Sequence, residues 1–186
     1  MKMTKNTRMK TKNNSSDKKS PFLWLIIPAS AVILAIILNS FVILSAIVPS
    51  DSMADTLEEG SLLVASRLAY VSSSPSRGDV IIFSHPELDA KYVVKRVIAT
   101  PGDTVEIKEG RVYLNASDTP LDEPYVSEFS KDNMECVTVP EGCYFVLGDN
   151  RCHSVDSRKL SFRFVREDDI YAGAAFTLLP KIKSLK

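Results

Sequence analysis

The sequence predicts a mainly β protein: an antiparallel β domain of sandwich or barrel type, tethered by one N-terminal transmembrane helix. Three observations predict it. A run of 30 uncharged residues, Pro21–Ser50, follows a basic head. Beyond it, short runs rich in Val, Ile, Tyr and Phe recur between turn signals. Helical periodicity is weak throughout that second part. With 186 residues, 45% apolar and 25% charged, the chain is no disordered tail, collagen-like fibre or disulfide-dense mini-protein. One soluble domain of about 100–150 residues fits, and little more.

The net charge of zero is the sum of two opposed parts. Residues 1–20 carry seven basic groups against Asp17, a net +6, and the other 166 carry 16 basic and 22 acidic groups, a net −6. A bilayer core about 30 Å thick needs roughly 20 helical residues, and Ala29–Val48 alone supplies them. Ser20–Pro21 suits a helix start, Pro49 a stop, and Pro28 lies inside the run. A cleaved secretory signal has an apolar core of about 7–15 residues, half this length. A buried core helix would show a polar face, and this run has only Asn39 and a few serines. The division expected is a basic cytoplasmic head at 1–20, a transmembrane helix at 21–48 and an extracytoplasmic β domain at 49–186. The positive-inside rule orients it. The lipid bilayer is thus a partner, and the lysines of the head are placed to meet anionic lipid.

In the exported part, β strands are expected at 62–69, 80–84, 92–98, 104–107, 112–114, 137–139, 144–147 and 174–179. Turn signals separate them: Ser76-Arg77-Gly78-Asp79, Pro101-Gly102-Asp103, Glu109-Gly110 and Gly148-Asp149-Asn150. Lys108–Arg111 reads as a hairpin tip. Val165–Ile170 reads as one or two helical turns. Asn115–Asp132, poor in apolar residues and holding Pro120 and Pro124, reads as an irregular surface excursion. Cys136 and Cys143, with six residues between them, suit either a bridge or two thiols, and Cys152 is left over.

Several chemistries lack their residues. His85 and His153 are the only histidines, and His153 adjoins Ser154, poor geometry for a base and its own nucleophile. No His/Cys set has zinc spacing, so no metal site is expected. There is no Gly-rich phosphate loop, and no cofactor is implied. No basic patch lies beyond the head, which argues against nucleic acid.

Two features remain. Pro49-Ser50-Asp51-Ser52-Met53 follows the membrane run. Lys95 lies within the apolar stretch Tyr92–Ile98, where alternation puts Val93, Lys95 and Val97 on one face. If that face is the core, desolvation lowers the amine pKa. A shift from about 10.4 to about 8 costs roughly 3 kcal/mol. The result would be a neutral amine able to take a proton from a serine hydroxyl. The competing reading makes Lys95 and Arg96 ordinary strand residues, one outward and one snorkelling. On composition alone that plainer reading has the better claim.

Four blocks in order bear on the choice. Pro49-Ser50-Asp51-Ser52-Met53-Ala54-Asp55-Thr56-Leu57 resembles the S-x-M-x-P-T-L nucleophile block of type I signal peptidases, the membrane-bound Ser/Lys endopeptidases. Arg77-Gly78-Asp79-Val80-Ile81-Ile82-Phe83 is similar to their R-G-D-hydrophobic block. Lys95–Asp103 is similar to K-R-x-x-G-x-P-G-D. Gly148–Arg158 is similar to G-D-N-R-x-x-S-x-D-S-R. The resemblance runs from 21 to 180 and favours the single-span, Gram-positive-like form.

The resemblance implies a signal peptidase fold, a serine-type hydrolase of protein secretion, and these roles. Ser52 is the nucleophile and Lys95 the general base. The Ser52 backbone N–H and the Ser50 hydroxyl form the oxyanion hole. Ser154 hydrogen-bonds the Lys95 amine, Asp156 pairs with Arg158 to hold the loop, and Asp149 assists the turn. Met53, Leu57 and Val94 line shallow pockets for small substrate residues. The partners implied are signal-peptide-bearing preproteins, with the secretion translocon as a further candidate. Two departures stand out: Asp55 replaces the usual proline, and Ala99-Thr100 the common Gly-Leu. Two other readings compete. One is a non-catalytic tethered relative that binds signal peptides. The other is a sortase-like thiol transpeptidase using Cys152 and His85, which lacks the expected Thr-x-Thr-Cys surroundings.

Overall fold

The computed structural model describes residues 22–48, 50–88, 92–159, 163–179 and 183–185. The basic head, the expected Ser20–Pro21 start and the Pro49 stop lie outside them. The chain divides near residue 36 into a helical unit and a β unit.

Helix α1 (Phe22–Ile37) contains Pro28 and carries no acidic or basic residue at either end. A π-helical turn, Leu38–Val42, continues it. Trp24–Val42 is a helical stretch of 19 residues without a charge. At 1.5 Å per residue it measures about 28 Å, long and apolar enough to cross a membrane. The run does not stay helical to Val48 as expected. Ile43–Ile47 leave the helix as strand β1 and pair antiparallel with β2 (Leu62–Ser66). Isoleucine at 43 and 47 favours the pleated backbone, and alternation buries Leu44 while Ile43, Ser45 and Ile47 stay exposed.

Nine further strands follow among the described residues: β3 (Val80–Phe83), β4 (Val93–Ala99), β5 (Thr104–Lys108), β6 (Arg111–Leu114), β7 (Met134–Thr138), β8 (Cys143–Leu147), β9 (Val165–Arg166), β10 (Ile170–Leu179) and β11 (Lys183–Ser184). The larger sheet runs β1-β2-β10-β3-β4-β8-β9, with β11 on β10, and the smaller runs β6-β5-β7. Every pairing among the described residues is antiparallel. This is the mainly antiparallel β architecture that the sequence predicts. Strands β2 to β8 and β10 correspond to the eight expected runs, and β1, β9 and β11 are additions. The turns expected in 165–170 reduce to one 3-10 turn, Glu167–Asp169, between β9 and β10.

Strand β4 sits between β3 and β8. Both its faces are covered, so Val94 to Ala99 are all buried. Val94 packs with Met53, Leu57, Val80 and Ile82. Val97 packs with Ile81, Phe83 and Val146. Ile98 and Ala99 join Val105, Phe145 and Leu147. The expected hairpin tip is present, with Lys108 opposite Arg111. Glu109 and Gly110 both adopt positive φ there, as a two-residue hairpin turn requires. Gly110 is needed twice over, because a Cβ would strike the Ser130 carbonyl.

All three cysteines are free. Cys136 lies on β7 and Cys143 on β8, strands of different sheets. The 115–132 excursion has no regular structure, as expected, but it is not merely superficial, since Glu123 and Val126 are buried.

Candidate active site

Ser52 sits in a 3-10 turn, Asp51–Met53, entered from extended Ser50. The amides of Thr56 and Leu57 both donate to the Met53 carbonyl, at 2.8 and 2.6 Å, closing the turn. A second segment holds it from outside. The Asn150 N–H donates to the Ser52 carbonyl at 3.1 Å, and Asn150 Nδ2 donates to the Asp51 carbonyl at 3.1 Å. The Asp149 N–H lies 3.4 Å from Met53 Sδ. Gly148 permits this approach: a Cβ there would lie 2.5 Å from the Ser52 carbonyl oxygen and collide with Ser154 Oγ.

Lys95, opposite Ile81 in register, brings Nζ to 2.5 Å from Ser52 Oγ. Lys95 is 4% exposed and Ser52 7%. Burial drives the amine pKa down to about 8, and Arg158 pushes the same way, while Asp156, Asp149 and Asp51 pull it up. Burial wins, at a cost of roughly 3 kcal/mol. Ser50 Oγ lies 3.2 Å from Ser52 Oγ. A hydroxyl in contact with an amine whose pKa is lowered toward neutral pH can be deprotonated and made nucleophilic.

Charged pairs frame this contact. The plain strand reading made one of Lys95 and Arg96 outward and the other snorkelling, but both are buried, Arg96 at 7% exposed. Its Nε and Nη2 grip Asp149 at 2.9 and 2.6 Å. Thr56 Oγ1 donates to the same carboxylate at 2.5 Å. Arg158 pairs with Asp156 at 2.8 and 2.9 Å, and Asp156 also accepts the Gly148 N–H at 3.0 Å. Although Asp156 is buried, those bonds hold its carboxyl below the ordinary range. Ser154, expected on the Lys95 amine, is buried with its Oγ outside hydrogen-bonding geometry. Its interaction with Asp156 helps keep that carboxylate ionised. A third pair, Arg151 and Glu123, is almost fully buried, at 3.0 and 2.5 Å. Sequence reading missed Arg96, Thr56, Arg151 and Glu123 as parts of the site. Arg96 and Arg151 stand within the quoted blocks, but nothing in the sequence marks Glu123, whose partner comes from a distant loop.

Met53, Leu57 and Val94 are buried in one apolar cluster with Leu44, Val48 and Ile82, and half-buried Tyr92 packs against it. Thiol chemistry finds less support. Cys152 is exposed, while His85 lines a cavity of about 400 Å³ with Cys143, Phe164, Arg166 and Asp169. Burial raises the Cys143 thiol, making it a poorer nucleophile. Among the described residues, no group of three or more His, Cys, Asp or Glu is arranged to hold a metal ion.

A family model described as signal peptidase, peptidase S26, matches residues 22–179. The chain is 40% identical over 157 residues to a probable signal peptidase I-1 of Synechocystis sp., covering 81% of this chain and 78% of that one. It is 37% identical to a signal peptidase I of Bacillus licheniformis, covering 80% and 84%. It is 35% identical to signal peptidase I P of Bacillus subtilis subsp. natto, covering 91% and 95%. A crystal structure of a signal peptidase I from Enterococcus faecalis V583 shares 34% identity with a TM-score of 0.47, over 54% of this chain and 97% of that one. The family match over residues 22–179 takes in the Ser52 turn, β4 and the 148–158 loop together, and the chain belongs to the signal peptidase family, peptidase S26.

Proposed function

We propose that this signal peptidase cleaves through Ser52 as nucleophile and Lys95 as general base, with an acyl-enzyme intermediate. The observation that carries the reading is the 2.5 Å contact between Nζ and Oγ, in surroundings that lower the amine to about 8. The Ser52 hydroxyl passes its proton to the Lys95 lone pair as Oγ attacks the scissile carbonyl. The developing oxyanion takes hydrogen bonds from the Ser52 backbone N–H and the Ser50 hydroxyl. Losing one such donor costs about 10²–10³ in rate. The Lys95 ammonium then protonates the leaving amine, and later takes a proton from the water that frees the acyl group. Asp156 and Arg158 hold the loop behind Lys95. Ser154 acts on the amine after a small rotation of its hydroxyl.

Met53, Leu57 and Val94 shape pockets for the small residues before the cleavage site. The substrate adds as an extended strand beside 48–52 and 92–95, with backbone bonds giving affinity and pockets selectivity. The chain is anchored in the cell membrane by the 24–42 segment, with the basic head cytoplasmic and the β unit outside. Its substrates are preproteins held in the same bilayer, so tethering raises their effective concentration, and the translocon is the neighbour that delivers them. The test is cleavage of a membrane-inserted precursor by purified Ser52→Ala and Lys95→Ala proteins. Both should fold, by circular dichroism, and neither should cleave. Substantial activity in either overturns the assignment.

A further inference from the structure

The irregular segment 121–133 touches the active-site frame at four places. Glu123 holds Arg151. The Tyr125 ring lies under the Arg96 guanidinium, 4.1 Å from ring centroid to carbon. Ser130 and Asp132 meet Arg158 at 3.0 and 2.9 Å. Ser127 meets Asp55: its backbone N–H and Oγ–H donate to the two carboxylate oxygens at 2.9 and 2.8 Å. On its other side the segment is tied to the β5–β6 hairpin, where the Gly110 N–H donates to the Asp132 carbonyl at 2.8 Å and Arg111 stacks on Phe129 at 3.7 Å.

The Asp55 contact differs from the other three. Asp55 belongs to the turn that carries Ser52, Met53 and Leu57, and it stands where the family pattern has proline. Its neighbour Thr56 donates to Asp149, and Asp149 lies in the loop that holds Arg151. A closed polar circuit results: Asp55 to Ser127, along the segment to Glu123, to Arg151, back through Asp149 to Thr56. Proline would fix φ at position 55 without tying it to anything. A carboxylate leaves that torsion free but fastens the turn at a second point.

We propose that Asp55 is a positioning residue for the cleavage reaction. Through its two hydrogen bonds to Ser127, it holds the nucleophile turn in register with the 148–158 loop. The inference rests on Ser52 being the nucleophile. Misplacement of reacting groups by about 1 Å can cost 10²-fold, so loosening the turn lowers kcat more than it raises KM.

The test compares kcat and KM, per folded molecule, for wild type, Asp55→Ala, Asp55→Asn, Ser127→Ala and the Asp55→Ala/Ser127→Ala double variant in detergent micelles. Asp55→Ala should lower kcat by about tenfold or more. Asp55→Asn, whose amide can accept from the Ser127 N–H and donate to its Oγ, should recover most of that loss. The double variant should be no worse than Asp55→Ala. If Asp55→Ala unfolds, Ser127→Ala with Asp55→Asn still decides, because a lower kcat in the first alone supports the clamp. Wild-type kcat in both Asp55→Ala and Ser127→Ala, or multiplicative losses in the double variant, overturns it while the Ser52 assignment stands. A wild type that cleaves nothing overturns both.

Discussion

Arg96 grips the Asp149 carboxylate through two nitrogens at 2.9 and 2.6 Å, while its neighbour on β4, Lys95, meets the hydroxyl of Ser52 at 2.5 Å. Two consecutive buried cations on one strand therefore have opposite fates. Arg96 is matched by a full negative charge, and its guanidinium is held protonated above its ordinary range despite burial. Lys95 faces a neutral partner, and burial drives it toward the free amine.

The pH profile of cleavage follows. Only the unprotonated Lys95 accepts the serine proton. An amine with pKa about 8 is about one-tenth free base at pH 7, whereas an ordinary lysine is free to less than about one part in a thousand. The kcat/KM for a peptide substrate should rise about tenfold per pH unit below 8 and level above it. A profile flat from pH 6 to 9 contradicts the assignment.

Stability should move the same way. The folded pKa is below the unfolded 10.5, so between about 8 and 10.5 the unfolded chain binds more protons, and stability rises with pH. Below 8 the full penalty of about 3 kcal/mol applies. Lys95→Met, similar in shape and uncharged, removes it. The variant should be inactive yet more stable than wild type at pH 7, by about 1–3 kcal/mol in urea. That gain should shrink as pH climbs from 8 to 10.5. A Lys95→Met protein that melts earlier than wild type at pH 7 rules this out.

Asp149→Ala should do the reverse. It strands a guanidinium that is 8% exposed beside a carboxylate that was fully covered. Breaking one side of such a pair costs about 3–5 kcal/mol, measurable as a lower urea midpoint at constant slope. A loss under about 1 kcal/mol would mean that water reaches Arg96.

Gly148→Ala tests the close packing of the two active-site segments. The added methyl lies 2.5 Å from the Ser52 carbonyl oxygen, so the nucleophile turn must retreat. The protein should keep its β circular dichroism while losing about 10²-fold in kcat. Unchanged kinetics would place the turn further from Gly148.

Cys152→Ser should leave cleavage within about twofold of wild type, because the thiol is exposed and serves no step of the Ser/Lys mechanism. Loss of all activity would revive the thiol reading.

Much of this fold was legible because its signals are local. Period-two apolar runs marked β2 to β8, and Glu109-Gly110 marked the hairpin tip. The errors arose where distant partners decide. Ile43–Ile47 looks like the end of a membrane helix until Leu62–Ser66 offers it a ladder. Arg96 looks like an ordinary strand residue until Asp149, Thr56 and Tyr125, from three other segments, close over its side chain. The Ser52–Lys95 contact spans 43 positions of sequence. Block patterns suggested it, but spacing could not. The role of 121–133 was hidden for a different reason. Its contacts with the active-site frame are polar and made to residues elsewhere, and its few apolar residues show no period, so hydropathy reads it as solvent-facing.

That segment also marks where the protein can be modified. Structureless stretches are the usual sites for grafting epitopes or fluorescent tags, and 115–133 looks like one continuous opportunity. Only residues 117–119 qualify, since Asn115 is bonded to Asp103 and Thr104. Ser117 and Thr119 bond chiefly to one another and are exposed together with Asp118. An insertion there would hang free, whereas one a few residues later would pull apart the scaffold around Arg151 and Arg158.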